Sequence, residues 1–482
     1  MALPPGPRTP GPVNLLRLAL QPLTALHEWH ARYGDVFTVR FTGFGTGVYV
    51  ADPDEIRAMF SGDQSQLRAG EANSFLEPVL GPHSVLVLDG PEHLRQRRLL
   101  LGPFQGAHVT AFREVIRDVA EREVDGWRAG ERIVLRERMR ALTFEVICRA
   151  VFGVSEPLRV ARLRAALMAV IDRATVFLAP GPLRLDLGPL SPGGRFARRL
   201  RAADELLYEE IARRRGEPDL ERRTDVLSLL LCARDEHGQG MSDAELRDEL
   251  FTMLAAGHET TATGLAFALE LLLRNPRVLA RLREELGGGG GEAAGGELPG
   301  EGAGFTGGGE LAGGGQRAGG GEAYLDATVK EALRLRPVID SAERTLAAPR
   351  MVAGWELPAG VNVYPAILLV HHREDLYPRA REFRPERFVE DGAESYTWLP
   401  FGGGIRRCIG AALAQAEMAE VLRIVVTRTE LEPERPEPDP VVLRGVTLAP
   451  KHGVPVRVLR VGAGVAGGGL VGSAERVGNI SG

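Results

Sequence analysis

Apolar residues follow two different periods along this chain, which separates a short β region from a long helical one. Residues 36–40 and 48–50 alternate between apolar and polar side chains or are β-branched and aromatic, and a glycine-rich stretch lies between them. This pattern predicts two strands joined by a turn. From residue 92 to residue 275, leucine and alanine recur at helical spacing among arginine and glutamate, which predicts a series of helices.

One of these helices is predicted to be very long. The sequence Ser242-Asp243-Ala244-Glu245 has the spacing of a capping box, in which a serine and a glutamate three residues later satisfy free N–H groups at a helix start. No proline follows until Pro276, so we predict a helix over residues 243–274. At 1.5 Å per residue it would be about 48 Å long, enough to cross a large domain.

The remaining pattern indicates many helices, little sheet and no regular alternation of strand and helix. We predict a mainly α fold with small β-sheets. A length of 482 residues allows two to four domains, although some single folds are this long. Residues 287–321 contain 19 glycines in 35 positions, and residues 461–482 are also rich in glycine. Such segments bury too little surface to offset their backbone entropy, so we expect a disordered insertion and a flexible tail. For residues 287–321 the alternative is a frameshift in the source sequence.

Charge and hydropathy exclude several classes of protein. The formal net charge is -5, so no broad basic surface indicates nucleic-acid binding. No apolar run is long enough to span a bilayer, and residues 1–7 lack the apolar region of a signal peptide. The apolar stretch 15–26 is interrupted by Arg17 and Pro22. We expect it to be a helix packed on the body of the protein, with a membrane-surface helix as the alternative.

The three cysteines, Cys148, Cys232 and Cys408, lie far apart and form no C-x-x-C pair. This spacing does not fit a disulfide framework and does fit a reducing cytoplasm. Cys148 and Cys232 each follow apolar residues, so we predict that both are buried. Cys408 differs because glycine and arginine surround it.

The surroundings of Cys408 favour a thiolate. The loop reads Phe401-Gly402-Gly403-Gly404-Ile405-Arg406-Arg407-Cys408-Ile409-Gly410. Nearby positive charge and backbone N–H groups stabilise a thiolate, and glycine lets the backbone curl closely around the sulfur. A helix predicted from Ala411 would add its N-terminal dipole. Chemistry alone leaves two interpretations open, a metal-binding thiolate and a buried free cysteine beside a glycine loop.

The spacing of Phe401, Arg406, Cys408 and Gly410 resembles the cysteine-ligand loop of the cytochrome P450 family. Three further motifs agree with this resemblance, in the same order along the chain. The resemblance implies a single domain over residues 1–460, with a triangular, helix-rich fold and haem b between the long central helix and the loop. Cys408 would bind the iron, and Phe401 and Gly410 would border the haem.

The first further motif is Ala256-Gly257-His258-Glu259-Thr260 on the long helix. A glycine inside a helix costs about 1 kcal/mol relative to alanine, which is justified if a flat group approaches the backbone. The Thr260 hydroxyl can bond the Ala256 carbonyl and loosen the helix. The resemblance implies an oxygen-activation groove, where Ala256 and Gly257 face the haem, Thr260 holds O2 and a water, and Glu259 relays protons. The alternative is a core helix with a satisfied threonine.

The second motif lies in residues 90–98, where His93 and Arg97 share one helix face. The resemblance implies that both hold the haem propionates by charge-assisted hydrogen bonds, together with Arg344 and Arg406. The alternative is a basic helix that faces solvent.

The third motif is Glu331-Ala332-Leu333-Arg334, whose two charges share one face of a helix that should end near Pro337. The resemblance implies a buried structural ion pair that Arg387 joins. Its role would be to support the fold.

The family resemblance implies a monooxygenase that hydroxylates or epoxidises an apolar substrate, such as a lipid, terpenoid, steroid or polyketide, with O2. Electrons would come from a ferredoxin or flavodoxin with its NAD(P)H reductase, since the chain has no flavin or iron–sulfur segment. Arg95, Arg98 and Arg407 could form part of a basic docking face. We expect a cytoplasmic protein.

The alternatives to a monooxygenase are a haem-thiolate peroxygenase or isomerase, a non-catalytic haem-binding sensor or carrier, and a scaffold without cofactor. Expected substrate contacts are Phe75, Leu76, Val85, Leu86, Leu254, Val338 and Ile339.

Overall fold

The computed structural model describes residues 3–104, 106–178, 185–288, 322–390 and 396–462, with seventeen α-helices and twelve short strands. The helices are α1 (Gly11–Leu20), α2 (Pro22–Tyr33), α3 (Pro53–Ser61), α4 (Ala69–Ala72), α5 (Glu77–Leu80), α6 (Gly90–Leu101), α7 (Ala107–Asp125), α8 (Leu135–Ala150), α9 (Pro157–Leu178), α10 (Pro192–Arg215), α11 (Val226–Cys232), α12 (Asp243–Arg274), α13 (Pro276–Gly288), α14 (Ala323–Leu335), α15 (Ile367–His371), α16 (Glu386–Glu390) and α17 (Ala411–Arg428). The strands are β1 (Val36–Phe41), β2 (Gly45–Val50), β3 (Leu67–Arg68), β4 (Arg132–Val134), β5 (Arg344–Leu346), β6 (Arg350–Val352), β7 (Trp355–Leu357), β8 (Asn362–Pro365), β9 (Thr429–Pro433), β10 (Val441–Arg444), β11 (Thr447–Pro450) and β12 (Pro455–Val461).

This inventory confirms the predicted mainly α fold with small sheets. Of the predicted disordered insertion, 287–321, only residues 287–288 are described, and they end α13. Of the predicted tail, 461–482, only residues 461–462 are described, and Val461 ends β12.

The predicted long helix is confirmed as α12, which lies at the centre of the fold. Ser242 and Glu245 form both hydrogen bonds of the capping box, at 3.2 and 2.7 Å. The helix packs against α8, α10, α14 and α17, and most of its side chains are buried. A helix that is covered on nearly all sides provides a fixed support for side chains at its middle.

The predicted hairpin is confirmed as β1 and β2, which open a five-stranded sheet in the order β1-β2-β8-β5-β3. One face of this sheet packs on α3 and includes Val48 and Val363. The other face packs on α1 and α2 and includes Phe37, Tyr49 and Tyr364. The two faces of the sheet therefore pack into two separate clusters of the hydrophobic core.

The apolar stretch 15–26 forms parts of two helices rather than one. Pro22 begins α2 after a break at Gln21, because proline suits the first helical position and cannot continue a preceding helix. Leu18 and Leu26 are buried against the sheet, so this stretch does pack on the body as expected. No helix among the described residues is long and apolar enough to cross a membrane.

Cys148 is buried, as predicted, but the prediction for Cys232 is wrong, because its side chain is exposed. Cys232 ends α11, whose buried side includes Leu227, Leu230 and Leu231. Its position around the helix, and not the apolar run before it, decides its exposure.

The predicted buried ion pair is confirmed. Two nitrogens of Arg334 donate to the two carboxylate oxygens of Glu331 at 2.6 and 2.8 Å. Arg387 donates to the same carboxylate at 3.0 Å. The remaining Arg334 nitrogen donates to the carbonyls of His371 and Ala380. The pair is fully buried. Its hydrogen bonds to His371, Ala380 and Arg387 join α14 to the segment that leads to the cysteine loop.

Candidate active site

The cysteine loop, residues 401–410, folds back on itself just before α17. The Cys408 N–H donates to the Phe401 carbonyl at 2.9 Å, and the Arg407 N–H donates to the Gly404 carbonyl at 3.0 Å. Gly402 and Gly404 have φ angles of +66° and +61°, which glycine adopts without strain. These local features explain why the loop contains so many glycines.

The surroundings of the Cys408 sulfur have opposing effects on its ionisation. Burial raises the pKa of the Cys408 thiol, whereas the Gly410 N–H, Arg407 and Arg97 lower it. Helix α17 begins three residues later, at Ala411, and the N-terminal end of its dipole adds positive potential. A thiol in this place becomes a stable thiolate when a metal ion shares its charge.

Replacing Gly404 by alanine is expected to disrupt this loop. An added Cβ would lie 1.9 Å from the Phe60 carbonyl oxygen, so the backbone must shift. Gly402 is the matched control, because its φ is also positive but no atom lies within 4 Å of an added Cβ. We expect Gly402→Ala to cost only about 1–2 kcal/mol and Gly404→Ala to cost clearly more. Urea unfolding and haem content would measure both, and equal effects would contradict the steric explanation.

The middle of α12 presents Ala256 and Thr260 on one face. The Thr260 hydroxyl donates to the Ala256 carbonyl at 2.5 Å, as predicted. Ala256 is exposed although the helix around it is largely buried. Gly257 faces a different neighbour, because an added Cβ would lie 3.3 Å from the Ile147 side chain of α8. Packing against α8 therefore contributes to the requirement for a small residue there.

Glu259 points toward α8 and forms ion pairs with Arg136 and Arg140, the second at 2.9 Å. Nothing in the spacing of the sequence indicated these arginines. His258 is buried beside it, and its backbone carbonyl accepts a hydrogen bond from Thr143 at 3.1 Å. Burial, together with nearby arginines, lowers the pKa of His258 to about 3, so this histidine is neutral at ordinary pH.

The structure brings His93, Arg97, Arg344 and Arg406 together in one cation cluster. Burial first, and then the three arginines, lower the pKa of His93 to about 3. Burial also lowers the pKa values of Arg344 and Arg406 to about 10. Arg97 donates to the carbonyl of Arg407, next to the cysteine, at 2.7 Å. The cluster therefore lies beside the cysteine loop and carries an excess of positive charge.

Two buried atoms of this cluster lack a protein partner. Among the described residues, no hydrogen bond is formed by the Nε atoms of Arg344 and Arg406. Buried donors are nearly always satisfied, and guanidinium groups bind carboxylates particularly well. The cluster thus fits a ligand that carries carboxylates close to a thiolate-bound metal.

Comparison with known proteins identifies the family to which the chain belongs. A family model described as Cytochrome P450 matches residues 4–289 and 323–455. The chain belongs to the cytochrome P450 family. Cytochrome P450 135B1 of Mycobacterium tuberculosis is 41% identical over 462 residues, which cover 95% of this chain and 92% of that protein. Cytochrome P450 135A1 of the same species is 37% identical, covering 95% of each chain.

Two solved structures share the fold. A cyanobacterial CYP120A1 with bound retinoic acid has a TM-score of 0.76 and 22% identity, over 95% of this chain and all of the other. The haem domain of cytochrome P450DA has a TM-score of 0.79 and 23% identity, over 96% of this chain and all of the other. As a member of this family, the protein is a haem-thiolate monooxygenase whose cofactor is haem. The cysteine loop and the cation cluster fit that cofactor.

Sequence reasoning missed two acids that shape the site of this P450. Asp89 accepts a hydrogen bond from Arg406 at 2.5 Å and others from the N–H groups of Gly70 and Glu71. Glu249 of α12 accepts a hydrogen bond from the Val85 N–H at 2.8 Å. The only available signal was the position of Asp89 directly before the motif of residues 90–98.

Proposed function

We propose that Cys408 is the thiolate ligand of the haem iron and that the enzyme hydroxylates or epoxidises an apolar organic substrate. The observation that carries this proposal is the cation cluster beside the cysteine loop. The two propionates would be held by His93, Arg97, Arg344 and Arg406, which would fix the orientation of the porphyrin. Phe401 and Gly410 would border the ring on the thiolate side.

The bound haem supplies O2 activation, and the thiolate favours cleavage of the O–O bond. Thr260 would place its hydroxyl, now bonded to the Ala256 carbonyl, where it holds a water that donates protons. Glu259 would relay protons to that water. Because its carboxylate is bound to Arg136 and Arg140, the relay requires the side chain to leave these arginines. Ala256, which is exposed on the same face as Thr260, would let the porphyrin approach the helix, whereas Gly257 adjoins Ile147 of α8.

Replacing Thr260 by alanine is expected to reduce product formation by roughly 10²-fold, a typical contribution of a positioned proton donor. Consumption of O2 should continue, because the haem and its thiolate ligand are unchanged. Product and O2 consumption would be measured together, with substrate binding followed by the haem absorption band. Thr260→Ser keeps the hydroxyl and is the control. A normal yield of product per O2 in Thr260→Ala would contradict this role.

The substrate side of the site is mainly apolar. Leu254 and Val85 are buried, and Val338 is fixed by a hydrogen bond of 2.7 Å from the Leu448 N–H to its carbonyl. These residues, with Phe75, Leu76, Leu86 and Ile339, support an apolar substrate such as a lipid, terpenoid, steroid or polyketide. Burial of apolar surface would then provide most of the binding energy.

A ferredoxin or flavodoxin with its NAD(P)H reductase would deliver the electrons, in the cytoplasm. Of the three arginines expected at the docking face, Arg95 is bound to Asp235 and Glu245, and Arg98 is paired with Glu236 at 2.9 Å. Arg407 is exposed and has no such partner among the described residues. We therefore expect Arg407, next to the cysteine, to contribute most to docking.

The proposal is tested with purified haem-loaded protein, a surrogate ferredoxin and its reductase, and a panel of apolar compounds under ¹⁸O2. Oxygen from O2 in the product and NAD(P)H-dependent O2 consumption are expected. Product formed only with added peroxide would indicate a peroxygenase. Rearranged product without incorporated oxygen would indicate an isomerase. Normal haem binding with no product across the panel would favour a sensor.

A further inference from the structure

A row of side chains crosses the five-stranded sheet on the face away from the cation cluster. Phe37 of β1 lies opposite Tyr49 of β2, and Tyr49 lies opposite Tyr364 of β8. The three rings are stacked, with centroids 5.3 Å apart for the first pair and 4.9 Å apart for the second. The row is an aromatic stack inside the protein, with Tyr364 at its β8 end.

Glu343 ends the row. Strand β5 pairs antiparallel with β8, and the Ala342 N–H donates to the Pro365 carbonyl at 3.2 Å, so Glu343 lies opposite Tyr364. Side chains that are directly opposite have Cβ atoms about 4.5–5.5 Å apart. Neighbouring residues of a strand face opposite sides of the sheet, so Glu343 and Arg344 point away from each other. The cation cluster therefore does not neutralise Glu343 directly.

Within the described part of the chain, two polar groups at this end of the row lack partners, the Glu343 carboxylate and the Tyr49 hydroxyl. The Asp340 carboxyl group accepts hydrogen bonds from the backbone N–H groups of Asp340 and Ser341, and the Tyr364 hydroxyl is bonded to Asn362. Among the described residues, no group forms a hydrogen bond or ion pair with the Glu343 carboxylate, and none with the Tyr49 hydroxyl. Tyr49 is only 2% exposed, and Asp340, which adds a second carboxyl group, is 8% exposed. Glu343 is half-buried. Buried polar groups are nearly always bonded, so the Glu343 carboxylate and the Tyr49 hydroxyl are available to a ligand.

The charge at this position selects the kind of ligand. Burial, and then repulsion from Asp340, raise the pKa of Glu343 to about 8, and Arg344 offsets this only in part. Burial raises the pKa of Asp340 to about 6. A cation would favour the deprotonated form of both carboxyl groups, and the face of Tyr364 would attract it further. An anion would gain neither interaction, because both carboxyl groups repel it once they are deprotonated.

We propose that Glu343, Asp340 and Tyr364 form a binding site for an organic cation, an ammonium or guanidinium group on an apolar body. Residues 338–343 include Val338 and Ile339, which are expected to contact the substrate. The cation is therefore assigned to one end of the substrate. That assignment rests on the proposed function, whereas the cation site itself does not.

Binding of hexylguanidinium and of hexylurea to the haem-loaded protein would test the site by calorimetry. The two compounds are alike in length and shape, and only the first is charged. A protonated guanidinium has no lone pair for the iron, so direct ligation does not interfere. We expect the guanidinium to bind and the urea to bind at least tenfold more weakly. Glu343→Gln should weaken guanidinium binding about 10- to 100-fold, as for a charge-assisted hydrogen bond. The exposed Glu356→Gln is the control.

The pH dependence provides a second readout. Glu343 must lose its proton to pair with the cation, so guanidinium binding should weaken about tenfold per pH unit as pH falls below 8. The charged or titratable groups that act on Glu343 or Tyr364 are Asp340, Arg344 and Tyr49. Of these, Asp340 should steepen the loss below pH 6. Urea binding should not depend on pH.

Equal affinities for the two compounds would overturn the cation site, and this comparison needs no variant. If Glu343→Gln does not fold, Asp340→Asn replaces it. A shift of the haem absorption band on adding hexylguanidinium would support its assignment to the substrate pocket, and binding without a shift would overturn that assignment. The reduced, carbon monoxide-bound spectrum of the same preparation reports on the thiolate independently. A normal spectrum with no cation binding therefore rejects the cation site alone.

Discussion

The Cys408→His variant is expected to lose the red-shifted absorption band that reduced, carbon monoxide-bound haem shows when a thiolate is its ligand. Imidazole is neutral and donates less electron density than a thiolate, so O–O cleavage is no longer favoured. Monooxygenase turnover should fall below detection. Haem should be retained, because the proposed propionate contacts of His93, Arg97, Arg344 and Arg406 are unchanged. The spectrum, the haem content and the ¹⁸O2 assay measure the three effects separately.

Two other cysteine variants make this test specific. Cys232→Ser changes an exposed cysteine and Cys148→Ser a buried one, and neither residue belongs to the cysteine loop. Both variants should keep the red-shifted band, although Cys148→Ser should lose some stability, because it puts a hydroxyl in an apolar core. Survival of the band in Cys408→His, or its loss in Cys232→Ser, would contradict the assignment of the ligand.

The parts of this site that could be predicted from the sequence are those built by neighbouring residues. The capping box at Ser242 and the absence of proline predict α12, because helix start and continuation are local properties. The hydrogen bond from Thr260 to Ala256 spans one helical turn. Glycines before Cys408 indicate a tight loop, and the structure shows two of them with positive φ.

Contacts between distant segments could not be derived in this way. His93 and Arg344 are 251 positions apart, and only the family resemblance placed them together. The arginines that bind Glu259 come from α8, and no pattern in the sequence connects them to α12. The row from Tyr49 to Glu343 depends on the register of three strands, which tertiary packing sets. For Cys232, the apolar run before it was a misleading guide to burial.

The Glu331→Gln variant should be among the least stable single variants of this protein. The change keeps the shape of the side chain but removes its charge, so Arg334 and Arg387 remain buried without a counter-ion. Breaking a buried pair in this way costs about 3–5 kcal/mol, because an uncompensated charge stays in the interior. Unfolding in urea would measure the loss, with haem release followed at the same time.

The control for this prediction has the same spacing but the opposite burial. Arg68 and Glu71 also lie three residues apart, at 3.2 Å, and each side chain is about half exposed. Glu71→Gln should cost less than about 1 kcal/mol, because water screens an exposed pair. Similar losses in the two variants would show that burial does not govern the strength of the Glu331 interactions.

Glu331→Gln protein that stays folded at low temperature should retain the thiolate band, because this carboxylate supports the segment leading to Cys408 without touching the haem site. Loss of the band in a folded Glu331→Gln protein would instead mean that the ion pair fixes the position of the cysteine itself.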